Sequence, residues 1–445
     1  MRGTLKFVGL GLLIVFFSFP MYLQAEERGL QIFFRSDAII DDQVELVVED
    51  TDQVDQLKED DDQSAESQPL RLNILDGISF EEAYQLALLN SIDIKKAEYD
   101  LEQAKMQFEE VEDLKDLEPT DEIPYVDSMG NILMVRSPET KLQMKINKEI
   151  TYYQAKNAID LAEKRIKLEK QNLYHQLTDS MISYTKALEG IQLAEQNLKR
   201  AEHFYRTTKE QFAQGLVAKT SVLDSEIALS QAKNGLESAK LQLHTAKESL
   251  LVLLGIKDFD GFEVEQIKPE FLDTKITTEQ MDSLLSFAFE NRIDYLIKQD
   301  QVNFEKKRYE IYDEHYSYYG NKEDKIRAQE IVYQKEKLNL LALERSMYLQ
   351  IYQALVGLNQ ASDQLVSLEK SVQQAEESLH ITQLRYEAGL GTIYEVLSAQ
   401  TALTQAENNL LDGKYQIMSV KNNLEKVLGG TIEDYQEFIT SNQTK

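Results

Sequence analysis

Two stretches decide the fold: Gln211-Phe-Ala-Gln-Gly-Leu-Val-Ala-Lys-Thr-Ser-Val222 and, 174 positions later, Arg385-Tyr-Glu-Ala-Gly-Leu-Gly-Thr-Ile-Tyr-Glu-Val396. In each, a helical pattern stops at Gly-Leu and another begins a few residues on. A Gly just past a helix is the usual stop, because it takes the left-handed backbone without a steric penalty. Each stretch therefore reads as the tip of a helical hairpin. The match runs without a gap from Gly215–Gly255 to Gly389–Gly429, with 16 of 41 pairs identical. A shift of 201 likewise carries Asn90-Ser-Ile-Asp93 onto Asn291-Arg-Ile-Asp294. Such internal matches mark a tandem duplication.

Beyond each tip the apolar residues recur in alternating 3- and 4-residue steps. The first copy has Val222, Ser225, Leu229, Ala232, Leu236, Ala239, Leu243, Ala246, Leu250 and Leu253; the second has Val396, Ala399, Leu403, Ala406, Leu410, Gly413, Ile417, Val420, Leu424 and Val427. A mean step of 3.5 residues specifies a left-handed supercoil. Large residues alternate with Ser, Ala or Gly, so a partner backbone can come close. The helix entering the first tip has its own stripe from Leu173 to Tyr205 and is predicted from about Lys141 to Gln214. At 1.5 Å per residue it would span roughly 110 Å. The predicted fold class is dominated by α-helix: long antiparallel hairpins in tandem, of the coiled-coil α-barrel type, with a few short strands. Leu70–Ile74 and Phe262–Ile267 alternate enough to be strands of a collar around the helices, and Pro124–Val135 reads as one short hairpin.

Composition narrows the function. The 445 residues include no Cys, no Trp, six Pro, 77 acidic and 48 basic side chains, for a net charge of −29. Absence of Cys removes disulfides, thiol nucleophiles and Cys-ligated metal. The acidic balance argues against nucleic acid as a partner. No Gly-rich phosphate loop or Ser/His/Asp constellation occurs, and the five His form no metal-type pair on one helical face, so neither enzyme nor cofactor is expected. Residues 1–25 have the basic start (Arg2, Lys6) and 13-residue apolar stretch of a secretory signal. Two readings stand: cleavage after Ala25, or retention as an anchor because Leu23 occupies a position that favours a small residue. Residues 26–69 form an acidic segment; from Asp41 to Glu66 there are twelve acids and one Lys, a composition that resists packing. The predicted organisation is then a first repeat at 70–268, a second at 269–430 and a C-terminal tail at 431–445.

At the tips the chain resembles the TolC-type outer-membrane efflux family, whose helix-turn-helix motif is an aromatic, two residues, Gly-Leu, a short polar turn and Val-Leu. The repeat start Phe80-Glu-Glu-Ala-Tyr-Gln-Leu-Ala87 shares in the resemblance, which covers about 70–430. It implies a homotrimer of twelve helical strands around a tunnel in the cell envelope. The implied partners are a membrane-fusion-type adaptor and an inner-membrane transporter. It implies adaptor docking at Gly215, Leu216, Val217 and Ala218 and at Gly389, Leu390, Gly391 and Thr392. It implies an aperture lined at Ser221, Asp224, Glu395 and Ser398. The family's basic latch falls at Gly391 and its acidic partner at Ser221, so that ion pair is missing. The family's four membrane strands per subunit also look reduced or absent, since the second repeat offers only a few residues around Tyr319-Gly320-Asn321. A tunnel component is therefore one reading of the function, and a non-conducting structural or tethering coiled coil of the envelope is the other.

Overall fold

The structure, a computed structural model, describes residues 78–113, 122–126, 129–256, 264–267, 278–316 and 323–443. The leader, the acidic segment, Leu70–Ile74 and Tyr318–Asn321 lie outside the described residues. In chain order the elements are α1 (Phe80–Asn90), α2 (Ile92–Asp113), β1 (Glu122–Val126), β2 (Ile132–Arg136), α3 (Pro138–Ala213) and α4 (Lys219–Leu254). The second repeat follows with α5 (Met281–Asn291), α6 (Ile293–Tyr316), α7 (Glu323–Glu387), α8 (Ile393–Leu428) and α9 (Ile432–Gln443).

Local chemistry sets the helix ends. Ser79 and Glu82 make a reciprocal capping box at the start of α1, and Ser137 caps α3 with Pro138 at its first turn. With 76 residues, α3 is about 114 Å long. No Pro interrupts it, and its stripe supplies the tertiary contacts that so long a helix needs. All ten seam positions of α4, and all ten of α8, are buried or half-buried. Gly413 shows why the small positions matter: a Cβ there would lie 2.5 Å from Leu368 Cδ1.

The long helices form a row. Helix α3 packs on α4 and α2, and on its other side it meets α8 and α6, which in turn pack on α7. Helices α4 and α2 share one strand of this row, meeting end to end. Asn90 Nδ2 donates to the Leu254 carbonyl at 2.8 Å, and Gly255 sits against the Asn90 side chain. Helices α8 and α6 meet likewise, with Gly429 against the backbone of Asn291 and Arg292. Each chain thus supplies four helical strands. Two apolar cores flank the end-to-end joints: Ile78, Ala83, Ala87, Leu177, Leu250 and Leu254 in the first repeat, and Leu284, Ala288, Ile351, Leu355, Leu424 and Leu428 in the second.

Three of the expected segments can be followed in the structure. Of the strand expected at Phe262–Ile267, the first two residues lie outside the described ones; within 264–267 a single parallel bridge pairs Val264 with Ile78, held by the bond from Glu265 N–H to the Ile78 carbonyl. The tail at 431–445 is mostly helix. Residues of α9 dock in the second core, where Ile432 and Tyr435 are buried, Phe438 packs on Phe287, and the Tyr435 hydroxyl hydrogen-bonds Ser283 Oγ at 2.8 Å. The hairpin at Pro124–Val135 does form, in antiparallel register from Glu122↔Arg136 to Val126↔Ile132. Its strands have five residues each, whereas crossing a bilayer takes about 9–11.

The end-to-end joints give a direct test. Gly255 and Gly429 have φ of +69° and +79°, and a Cβ would come within 2.6 Å of Asn90 Cβ and 2.7 Å of Arg292 Cα. Gly255→Ala and Gly429→Ala should each cost about 2–5 kcal/mol, from left-handed strain plus overpacking. Gly235, mid-helix with open space around its missing Cβ, should gain about 0.5–1 kcal/mol as Ala. Thermal unfolding followed by circular dichroism checks this; equal melting shifts in the three variants would refute it.

Candidate functional site

The two tips are built alike. In the first, Leu216 N–H donates to the Gln211 carbonyl and Gly215 N–H to the Phe212 carbonyl, both at 2.9 Å. In the second, Leu390 donates to Arg385 at 2.8 Å and Gly389 to Tyr386 at 3.0 Å. These paired bonds form a Schellman turn, which satisfies carbonyls that the ending helix leaves free. Gly215 and Gly389 hold φ of +74° and +70°, the conformation that only Gly adopts freely. The turns push Leu216 and Leu390 into solvent, 69% and 74% exposed. Tyr394, 78% exposed, joins them at the second tip.

The tips differ where the next helix begins. Thr392 caps α8 by accepting from Glu395 N–H at 3.3 Å, whereas Ala218 offers α4 no side-chain cap. Glu395 also reaches Arg385 at 4.0 Å, an ion pair within one tip rather than between two. Contact between the hairpins near their tips runs through Tyr386, whose hydroxyl donates to Gln211 Oε1 at 2.9 Å and whose ring packs on Phe204. Burial raises the Tyr386 phenol above its ordinary value, so it stays a donor.

Of the four residues assigned to an aperture, the structure brings two together. Asp224 on α4 and Ser398 on α8 line one groove of about 1770 Å³ that runs over α3. Its floor is small, with Ala187, Gly190, Ala194 and Ala201, and Asp179 and Asp412 add negative charge. Glu395 and Ser221 do not line this groove. Glu395 turns back onto its own tip, and Ser221 is half-buried in the first turn of α4.

Sequence reasoning missed the joint between the repeats, where α3 meets α8. Beside an apolar cluster of Ile182, Tyr415 and Met418, it carries a chain of polar contacts. His175 Nδ1 lies 2.7 Å from Asn422 Oδ1, and Asn422 Nδ2 donates to the His175 carbonyl at 3.0 Å and to Asp179 Oδ1 at 2.9 Å. Because the Asn422 amide nitrogen donates to both carbonyl and carboxylate, its oxygen faces the ring, which makes His175 Nδ1 the protonated nitrogen. Further along, Arg200 grips Glu407, Thr404 donates to Asn197 at 2.9 Å, and Lys186 pairs with Asp412 at 2.8 Å. The only signal in sequence was a His beside the α3 stripe. The other His lie at the surface (His203, His244, His380) or pair with a carboxylate (His315 with Glu149, 2.9 Å).

The arrangement offers surfaces, and no group of His, Asp or Glu among the described residues has the geometry of a metal site. No helix among them is long and apolar enough to cross a membrane. A family model described as outer membrane efflux protein matches residues 149–256 and 318–430, one segment in each repeat. Crystal structures of CusC are similar in fold, with a TM-score of 0.64 at 15% identity, covering 79% of this chain and 92% of that one. The outer membrane protein VceC from Vibrio cholerae scores 0.62 at 15% identity, over 79% of this chain and 96% of its own. The CmeC outer membrane channel of Campylobacter jejuni scores 0.61 at 14% identity, over 81% and 88%. No curated protein matches significantly.

The His175 joint gives a pH test. Burial is the largest influence on the imidazole and lowers its pKa from 6.5, with Lys426 adding to the effect against Asn422 and Asp179. The unfolded chain therefore takes up this proton first as pH falls through about 6.5, so folding stability must decline on acidification. Glu425 acts oppositely, since burial raises its carboxyl above 4.5 and the folded state holds that proton more readily. His175→Gln, which keeps an amide donor for Asn422, should flatten the fall in melting temperature between about pH 7.5 and 5.5. An unchanged slope would exclude His175 as its source.

Proposed function

The chain belongs to the outer membrane efflux protein family, and on that premise we propose that it is the channel component of an export route through the cell envelope. Three copies stand side by side, so that twelve helical strands enclose a water-filled passage. The observation that carries this reading is the row of four strands whose two outer members keep apolar side chains in solvent. Leu223 and Val252 are exposed on α4, and Leu338, Leu349 and Val356 on α7. A coiled-coil strand with one satisfied seam and a second apolar stripe is suited to a partner on each side. The groove with Asp224 and Ser398 then faces the passage, and its carboxylates favour cationic over anionic cargo there.

The two tips serve as docking points for hairpins of an adaptor, which in turn links the channel to an inner-membrane transporter. Gly215, Val217, Ala218, Gly389, Gly391 and Thr392 shape the turns, and Leu216 and Leu390 are the apolar anchors. Their exposure in the free chain supports this role, since an anchor gains its burial only from the partner.

The non-conducting tether has one observation in its favour: among the described residues the strands are limited to one hairpin too short to cross a bilayer. Export complementation separates the two readings, because a tether restores attachment and leaves cargo inside.

Two outcomes are expected. Sedimentation equilibrium of the full chain should give a trimer, and a monomer at micromolar concentration would remove the channel reading. Leu390→Asp and Leu216→Asp should leave melting temperature unchanged, because both side chains are exposed. Each should weaken adaptor binding by about thirtyfold, the scale of a lost interface anchor; undiminished export in both variants would defeat the docking role.

A further inference from the structure

At the end of α3 remote from the tips, the β-hairpin carries apolar surface that nothing in the helical row uses. In its antiparallel register Val126 pairs with Ile132 and Pro124 with Met134 on one face, while Tyr125 pairs with Leu133 and Ile123 with Val135 on the other. Glu122 and Arg136 close the base, and Asp127 and Asn131 lie in sequence at the turn. Between these polar ends neither face carries a charge. Ile132 is 71% exposed, Met134 58%, Leu133 49% and Val135 46%. The neighbouring core of Leu142, Ile146, Ile150, Ile311 and Tyr316 forms without them.

Physical constraints narrow what can cover such a ribbon. A strand pair that docks on a protein, or walls a water-filled pore, buries one face and wets the other, so its residues alternate apolar and polar. Here both faces are apolar, which suits a fluid medium reaching the ribbon from every side. Length excludes crossing, because five residues span about 17 Å against ~30 Å of hydrocarbon. The backbone excludes deep burial, since a ribbon of two strands leaves its outer N–H and C=O groups unpaired. The headgroup layer of a lipid surface meets both demands: methylenes reach the side chains, and ester oxygens and water reach the strand edges. Pro124 has no N–H to satisfy there, and Tyr125 is of a type enriched at that depth.

Charge selects the headgroup. The exposed Lys141 and Lys145 at the start of α3 are offset by Glu109, Glu110 and Glu112 at the end of α2, and the whole chain carries −29. An anionic surface repels a protein so charged. We propose that the hairpin is a lipid-surface anchor that lies in the headgroup layer of a zwitterionic bilayer without crossing it. One copy suffices for this contact, so the anchor does not depend on the channel reading.

The natural chain has no Trp, so Leu133→Trp places a single fluorophore on the hairpin of the full chain. On addition of phosphatidylcholine vesicles its emission should shift to the blue. Lipids brominated near the glycerol end of the acyl chain should quench it several-fold more than lipids brominated at the chain end. Replacing half of the phosphatidylcholine by phosphatidylglycerol should weaken partitioning by about threefold at low salt. Ile132→Thr with Met134→Thr keeps strand propensity and should weaken partitioning by about tenfold, with melting temperature unchanged because both side chains are exposed. Emission already blue-shifted without vesicles would mean that protein covers the ribbon, and would overturn the proposal. Emission that vesicles leave unchanged would overturn it too. Strongest quenching from the chain ends would overturn the surface placement, and tighter binding to the phosphatidylglycerol mixture would overturn the choice of headgroup. The fluorophore reads the hairpin itself, however residues 1–25 are processed. A chain that sediments as a monomer and still gives the lipid shift and quenching would keep the anchor while removing the channel.

Discussion

Everything in this molecule depends on close approach between helix backbones along seams that alternate a large side chain with Ser, Ala or Gly. A helix of 76 residues has no means of staying ordered by propensity alone. It holds because an antiparallel neighbour covers its apolar stripe at every turn. Where the spacing tightens furthest, at Gly413, Gly255 and Gly429, even one methyl group would collide with a neighbour. Packing of this sort is intolerant of volume changes; Gly255 and Gly429 accordingly occupy one position in the two repeats, and Gly413 corresponds to the small Ala239.

Two chemistries divide the contacts. Inside each hairpin the seam is apolar and continuous. Between the hairpins apolar clusters, Ile146 with Ile311 and Ile182 with Tyr415 and Met418, are interleaved with polar pairs among His175, Asn422, Asp179, Arg200, Glu407, Lys186 and Asp412. Apolar seams accept sliding by a heptad at small cost, whereas a hydrogen-bonded or ionic pair loses its partner if the register moves. The polar joint thus fixes how one hairpin sits along the other, and the apolar seams supply the bulk of the stabilisation. The Schellman turns complete the frame, since they end both hairpins in one geometry and leave an apolar residue at each summit.

Duplication accounts for most of the remaining order, and its lapses are informative. The second core gains α9, which covers Phe287 where the first repeat has Leu86 in the matching position. Only the first repeat carries the described β-hairpin, whose second strand is exposed along its full length. Such departures show where the copies serve different surroundings while the helical frame stays common.

The sequence alone determined the hairpins, their tips and their seams, because helix periodicity, Gly stops and internal repetition are local or periodic signals that survive without coordinates. It placed α3 within a few residues of Pro138–Ala213 and placed both Gly-Leu turns. A linear reading gave no form to residues 264–267 and α9, since these depend on distant partners, Ile78 in one case and Phe287 in the other. Only the tertiary structure decided that Asp224 and Ser398 share a groove while Glu395 turns back on Arg385. It alone revealed that His175 meets Asn422, 247 positions away. A polar pair at that separation leaves no period for a linear reading to detect, because it is set by where two long helices happen to cross.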